Sequence, residues 1–524
     1  MRLVLTAVML LFIGCHRLAP YPGAEAQSDA AMVEDGGPVR ELALVADAAD
    51  AGDGPTRDVA SDTAFGDAAF GDAMGDRTQV PSGWAWSTGV SDTHIKSVVV
   101  HVDGSITAVG WSGLASQTLC NGTLTTPARA PIGLVFRLDP QGQCQWVKVL
   151  ESTEESRALA VSLYAGVIYV TGSFLGTMTL ESAGGGSVSS TASAFSGSLF
   201  VAALQEDGKA LWLQSRGPSF NAGPRNVGQA IVATASGVYV TGTVNNMKMS
   251  SVCNFTECMF SLYVESMSKA DGGTNWSQTY GAGGLYAAVV SGLAVDSAGG
   301  VFFGGTFSFA VTIGTDSLAT GTKTGRAGFI AKLGAGGDAL WANQYGRGRW
   351  GNEAAQIHDI ALAPGSGAYA VGEFGQTLAF PKGATDAVHI LTASAAESYF
   401  DGFFLQVRSD GSTEFVDHLG APQSDHALKS IAFSDGIIYL AGDVTGPYAL
   451  DRARSGSKSA FVATHLAKSF QDRVLFTASP SSITDLEPLG AGVILSGSVS
   501  ADNVEPALTP VGELEGFVAL RRNL

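Results

Sequence analysis

Five cysteines, eight histidines and 48 acidic residues are the groups in this 524-residue chain that could do chemistry. Few of them stand in a pattern that a reaction requires. There is no Gly-x-Ser-x-Gly nucleophile turn, no His-Glu-x-x-His zinc helix and no Gly-rich phosphate loop. Asp92-Thr93-His94-Ile95-Lys96-Ser97 and Asp425-His426-Ala427-Leu428-Lys429-Ser430 align on their Asp, while the two histidines fall out of register. An Asp recurring where a strand begins caps a turn more readily than it moves protons, with a ligand site as the other use. Asp103-Gly104, Asp207-Gly208, Asp410-Gly411 and Ser236-Gly237 are read as tight bends. No Asp-x-Asp-x-Asp run accompanies them, so no metal site is expected. The expectation is a protein without catalytic residues and without a cofactor.

Cys15 is the exception. Arg2 precedes an apolar run from Leu3 to Ile13, and the run ends in Phe12-Ile13-Gly14-Cys15. A basic start, a short apolar core and a small residue make a secretory signal. The run is too short to span a bilayer, which needs about 20 residues. The last four residues resemble the lipobox of bacterial lipoproteins, with Phe12 where Leu is more usual. The resemblance implies a signal peptide over 1–14, cleavage, and acylation of Cys15 with palmitate among its lipids. The expected location is the bacterial cell envelope, in the outer membrane or at the cell surface.

From Tyr21 to Ser82 the chain repeats Asp, Ala and Gly. Between 21 and 80 it holds 13 acids against 3 arginines. Such a segment buries too little apolar surface to offset its ordering entropy. Residues 15–82 are therefore expected to be a disordered acidic tether. The net charge of the whole chain is -18, which offers no basic surface to a phosphate backbone and argues against nucleic acid.

Past residue 82 the elements repeat. A β-rich segment ending in Gly occurs seven times, with its glycine at Gly110, Gly172, Gly242, Gly305, Gly372, Gly442 and Gly497. A second motif lies between these copies, as in Gly328-Phe329-Ile330-Ala331-Lys332-Leu333 and Leu199-Phe200-Val201-Ala202-Ala203-Leu204. A Gly-rich turn and then Trp146, Trp212, Trp276 or Trp341 follow, with Phe415 in the same place. Trp84 opens a matching segment that lacks its preceding strand, and the last copy, Gly516–Leu520, lacks its following one. Four short strands per unit and seven units spell a β-propeller over 83–524, all-β, with the N-terminal strand closing the C-terminal blade.

These residues resemble the seven-bladed β-propeller (SBBP-type) repeats of bacterial secreted proteins. The Gly-x3-Trp spacing is also similar to the tryptophan-docking motif of quinoprotein propellers. In both, the resemblance implies that Trp84, Trp146, Trp212, Trp276 and Trp341 pack between blades. A quinone would need cations and acids converging at the hub, and no single motif shows them.

With strands A to D running from hub to rim, the connections from B to C are long, roughly 17 to 29 residues. They share one face with the D-to-A connections, so length variation is expected on that face. Cys253 and Cys258 lie in one such loop and suit a local disulfide. Cys120 lies in another, and Cys144 at the opposite face about 20 Å away. A bridge between those two needs the loop to fold down the rim. The expected function is a monomeric, lipid-anchored binding or scaffolding module, with a protein or glycan partner on the long-loop face. Alternatives are an outer-membrane assembly scaffold and, further off, a hydrolytic or quinone-dependent propeller enzyme.

Overall fold

In the computed structural model, residues 84–522 are described apart from 92, 114–115, 120–121, 126–130, 193–196, 217–225, 245–259, 284–287, 322–324, 347–353, 381–389, 394–399, 421–423, 446–457, 467–468, 477–480, 491 and 501–513. The signal segment, Cys15, the acidic segment, Cys120, Cys253 and Cys258 fall outside them. So does the side chain of Trp84, although its strand is described.

Seven four-stranded antiparallel units follow one another. Blade 1 is Thr93–Val100, Ile106–Ser112, Ile132–Leu138 and Cys144–Ser152. Blade 2 is Ser156–Tyr164, Val167–Phe174, Ser198–Leu204 and Ala210–Arg216. Blade 3 is Val227–Ala233, Val238–Val244, Phe260–Met267 and Thr274–Gly283. Blade 4 is Val289–Val295, Val301–Ser308, Arg326–Leu333 and Ala339–Tyr345. Blade 5 is Ala355–Ala363, Gly367–Gly375, Phe400–Val407 and Thr413–Leu419. Blade 6 is Asp425–Ser434, Ile437–Thr445, Lys458–Leu466 and Ser469–Phe476. Blade 7 is Ser481–Leu489, Gly492–Ser500 and Leu514–Arg522, completed by Trp84–Ser91. That last pairing runs antiparallel from Trp84 opposite Arg521 to Ser91 opposite Glu515, and it closes the ring. Closure covers the outer edge of Leu514–Arg522 that an open array would leave bare.

The core is not central. It is divided among seven apolar clusters of described residues, one at each junction between consecutive blades. The second and third strands of most blades are therefore buried on both faces, as Val238–Val244 and Ser198–Leu204 are throughout. Their sequences read as continuous apolar runs for that reason.

Length variation is expected on one face, but the B-to-C connections of blades 2, 4 and 5 carry theirs to the rim. In blade 2 the connection forms a hairpin, Thr177–Glu181 with Ser187–Thr191, and Met178 pairs with Ser152 at the outer edge of blade 1. In blade 4 the hairpin Ala310–Ile313 with Asp316–Ala319 pairs with the outer strand of blade 3 through Ala282 and Gly283. Blade 5 has a third, Thr377–Ala379 with Ile390–Thr392, beside Phe380, which meets Tyr345 of blade 4 at 5.8 Å between ring centres. Met178, Leu180, Val311, Ile313, Leu318 and Leu378 are buried in the junction clusters. An outer strand leaves unpaired N–H and C=O groups and half an apolar groove. The hairpins of blades 2 and 4 each pair with that edge at two positions, and all three put apolar side chains into the groove, so their length is used at the rim.

A channel mouth built by seven bulges

The innermost strand of every blade carries a β-bulge at the same place. The register slips between Ile95 and Ser97, Ala158 and Ala160, Gly228 and Ala230, Val290 and Gly292, Ile357 and Asp359, Leu428 and Ser430, and Ile483 and Asp485. A bulge places two residues against one and re-aims the extra side chain. The extra residues are Lys96, Leu159, Gln229, Ser291, His358, Lys429 and Thr484, and all seven line a central channel of about 570 Å³.

The repeated glycines of the second strand explain why the bulge recurs. A Cβ on Gly110, Gly172, Gly242, Gly305, Gly372, Gly442 or Gly497 would lie 1.9–2.1 Å from a carbonyl oxygen of the bulged strand, that of His94, Arg157, Val227, Val289, Gln356, Ala427 or Ser482. Only glycine lets the bulged backbone approach so closely. The sequence signature is thus the mould of the channel lining.

The rim is fixed by the tryptophans. Trp146, Trp212, Trp276 and Trp341 each donate the indole N–H to a turn carbonyl of the next blade, Glu206, Lys269, Ala335 and Ser409, at 2.8–3.0 Å. The same turns carry Gly208, Gly272, Gly337 and Gly411 at positive φ. A Cβ there would strike the indole at 2.7–3.1 Å. Phe415 keeps the place without the hydrogen bond and rests 5.4 Å from the His465 ring. The Asp-Gly pairs are turns as read: Asp103, Asp207 and Asp410 accept the backbone N–H two residues on. Asp425 accepts the Phe400 N–H at 2.8 Å and so ties blade 6 to blade 5, while Asp92 lies outside the described residues. Cys144 is disulfide-bonded, and its partner is outside the described residues.

At the hub the seven blades differ. Blades 2, 3 and 4 present Leu159, Gln229 and Ser291. Their polar groups are absorbed in the scaffold: Gln229 Oε1 accepts the Val290 N–H at 3.2 Å, and the Ser291 hydroxyl donates to Ile357 O at 2.5 Å. Blades 5, 6, 7 and 1 carry the charge. Lys429 Nζ lies 2.9 Å from His358 Nε2 and 3.4 Å from Glu373 Oε2, and Gln356 donates to Glu373 Oε1 at 2.8 Å. Burial alone would raise the Glu373 carboxyl. The hydrogen bonds and charges of His358 and Lys429 outweigh it and hold that group at about 2.

One residue beyond the bulge sit Asp359 and Asp485. Asp359 Oδ2 accepts the Ile431 N–H at 3.0 Å, and Asp485 Oδ2 accepts the Val98 N–H at 2.9 Å, each from the next blade. Ser97 repeats this clip with a hydroxyl, accepting the Val161 N–H at 3.3 Å. The Ser430 hydroxyl lies 3.2 Å from both Asp359 Oδ2 and Asp485 Oδ1. Burial and the neighbouring Asp485 push Asp359 up to about 7. Burial pushes Asp485 up to about 6 against its hydrogen bonds. Glu487, further down the channel, is raised to about 8 by burial and by both aspartates. Among the described residues no group of three His, Cys, Asp or Glu side chains is arranged to hold a metal ion.

Sequence reading missed this site. Its members arrive one per blade, 55 to 71 residues apart, close to the spacing of the repeat glycines. One signal was present. Lys96-Ser97 and Lys429-Ser430 align in the two segments compared for their Asp, and it is the Lys-Ser pair, at the bulge, that the fold brings to the hub.

No protein-family profile matches the sequence, and no curated protein matches it. Among solved structures the chain is similar to the WD40 β-propeller domain of Doa1, at 9% identity and a TM-score of 0.38, over 83% of this chain and 96% of that one. It is also similar to Drosophila Semaphorin 2a, at 7% identity and 0.38, over 86% and 77%. A third is the endosialidase of phage phi92, at 7% and 0.36, over 86% and 69%. The seven-bladed ring rests on the strand pairing described above.

Proposed function

We propose that this chain is a lipid-anchored binding or scaffolding module of the bacterial cell envelope, monomeric, tethered through Cys15 and engaging its partner on the face that the long connections share. One observation carries the binding part. Seven backbone positions are geometrically equivalent, and they hold Lys, Leu, Gln, Ser, His, Lys and Thr. Positions that pack, such as the seven glycines, keep one residue type. A rigid frame with unlike side chains at one opening is how recognition is built on repeats. The innermost strand starts on the long-loop face, and the bulge lies early in it, so the charged arc opens toward that face. The partner class is a protein or a glycan. The acidic balance of the chain speaks against nucleic acid.

The anchoring part rests on Cys15 and the residues before it. Several acyl chains hold a protein firmly, and one holds it marginally. Fractionation tests it. The wild type should stay with membranes through a high-salt wash, and Cys15→Ser should be released. A membrane-bound Cys15→Ser protein removes the lipoprotein reading.

A further inference from the structure

We propose that the blade 1 side of the channel mouth binds a small oxyanion-bearing ligand, a carboxylate or a phosphate, against Lys96 and His94. This deepens the binding reading above and rests on it. Lys96 is the bulge residue of blade 1 and lines the channel. His94 precedes it by two residues and stacks on Trp111, 3.8 Å between ring centres and 24° from parallel. The Arg157 guanidinium of blade 2 lies 5.2 Å from the same indole ring. Trp111 therefore gathers two basic side chains beside the channel, within electrostatic reach of Lys96.

The two cationic bulges are treated differently by the fold. Lys429 has Glu373, the residue after the repeat glycine of the preceding blade, 3.4 Å away. For Lys96 that place is taken by Ser498, and in its own blade the residue after the repeat glycine is Trp111. Neither bears charge. Among the described residues Lys96 makes no hydrogen bond or ion pair. A half-buried ammonium without a counter-charge is costly, and an anion from solution removes that cost. The channel, at about 570 Å³, has the size of a small-ligand pocket. An ammonium and an imidazole offer N–H donors to an oxyanion, and a charge-assisted bond of that kind is the strong sort.

The test is calorimetric titration of the full mature protein with inorganic phosphate and, separately, with succinate. Wild type should bind at least one. Lys96→Met should weaken that binding about ten- to hundredfold, the loss of one charge-assisted hydrogen bond. Lys209→Met, at the rim and ion-paired to Glu181 and Asp207, should bind as wild type. Phosphate alone or succinate alone identifies the oxyanion. Melting curves accompany each variant, and Lys96→Gln with His94→Asn replaces Lys96→Met if the latter does not fold. Absence of binding to both probes, or equal binding by the Lys96 variants, overturns the proposal. Partner capture by a wild type that binds neither probe would leave the binding reading standing while this one fails. Anion binding without any captured partner would do the reverse.

Discussion

Blades 2, 3 and 4 and blades 5, 6, 7 and 1 are built on one backbone and lined by different chemistry. Both arcs have the bulge, the glycine that admits it and an apolar cluster at every junction. In the first arc the channel side chains are neutral. In the second they are two lysines, a histidine and three carboxylates with raised affinity for protons. The difference separates what the repeat maintains from what it leaves free. Shape is maintained seven times, and charge is placed once. Strongly perturbed acids gathered at one opening are the common mark of a functional surface, although Asp359 and Asp485 also clip neighbouring blades.

The comparison breaks first where both arcs depend on the ring. Deleting residues 515–524 removes the third strand of blade 7 and strips Trp84–Ser91 of its partner. Loss of cooperative unfolding, or aggregation, is expected by calorimetry and size-exclusion chromatography. A folded, monomeric 81–514 fragment would contradict closure.

Next is the shared bulge. Gly372→Ala puts a Cβ 1.9 Å from the Gln356 carbonyl, while at Gly113 the same change meets nothing within 4 Å. Denaturant unfolding should show a loss of about 3 kcal/mol or more for the first and under about 0.5 for the second. Equal effects would mean that the glycines do not mould the bulge.

The smallest effect is peculiar to the charged arc. Glu487, Asp359 and Asp485 hold protons in the folded state that the unfolded chain releases near pH 4. Their contribution to stability is therefore fully present below about pH 4 and is lost as pH rises toward about 8. Glu373 has the opposite sign, stabilising above its unfolded value of about 4.5 and losing that contribution as pH falls toward about 2. The melting temperature should fall between pH 5 and pH 8, and Glu487→Gln should flatten the fall by a few degrees. An unchanged slope would show that Glu487 ionises freely.

How much of this the sequence disclosed follows from what each residue does. Gly372 and Trp276 serve backbone geometry common to every blade, so they recur and can be seen. The closing strand was legible because Trp84 lacked a neighbour that Gly516–Leu520 could supply. Lys96, His358 and Asp485 serve one place in space from three distant strands, and no local pattern joins them. The rim hairpins were read as loops on a face, although the alternation in Thr177-Met178-Thr179-Leu180-Glu181 is that of a strand with one buried side. Met178 and Leu180 are the buried positions.

The central claim is that recognition lies in the charged arc of the hub and not in the repeated frame. Partner capture from detergent-solubilised envelopes tests it with three proteins: wild type, a triple variant Lys96→Met, Lys429→Met and Glu373→Gln, and a rim variant Lys209→Met outside the channel. Glu373 is changed along with Lys429 so that no buried carboxylate is left without its counter-charge. With melting temperatures matched, the triple variant should lose the partner that wild type and Lys209→Met retain. The same partner recovered equally by all three would contradict the account.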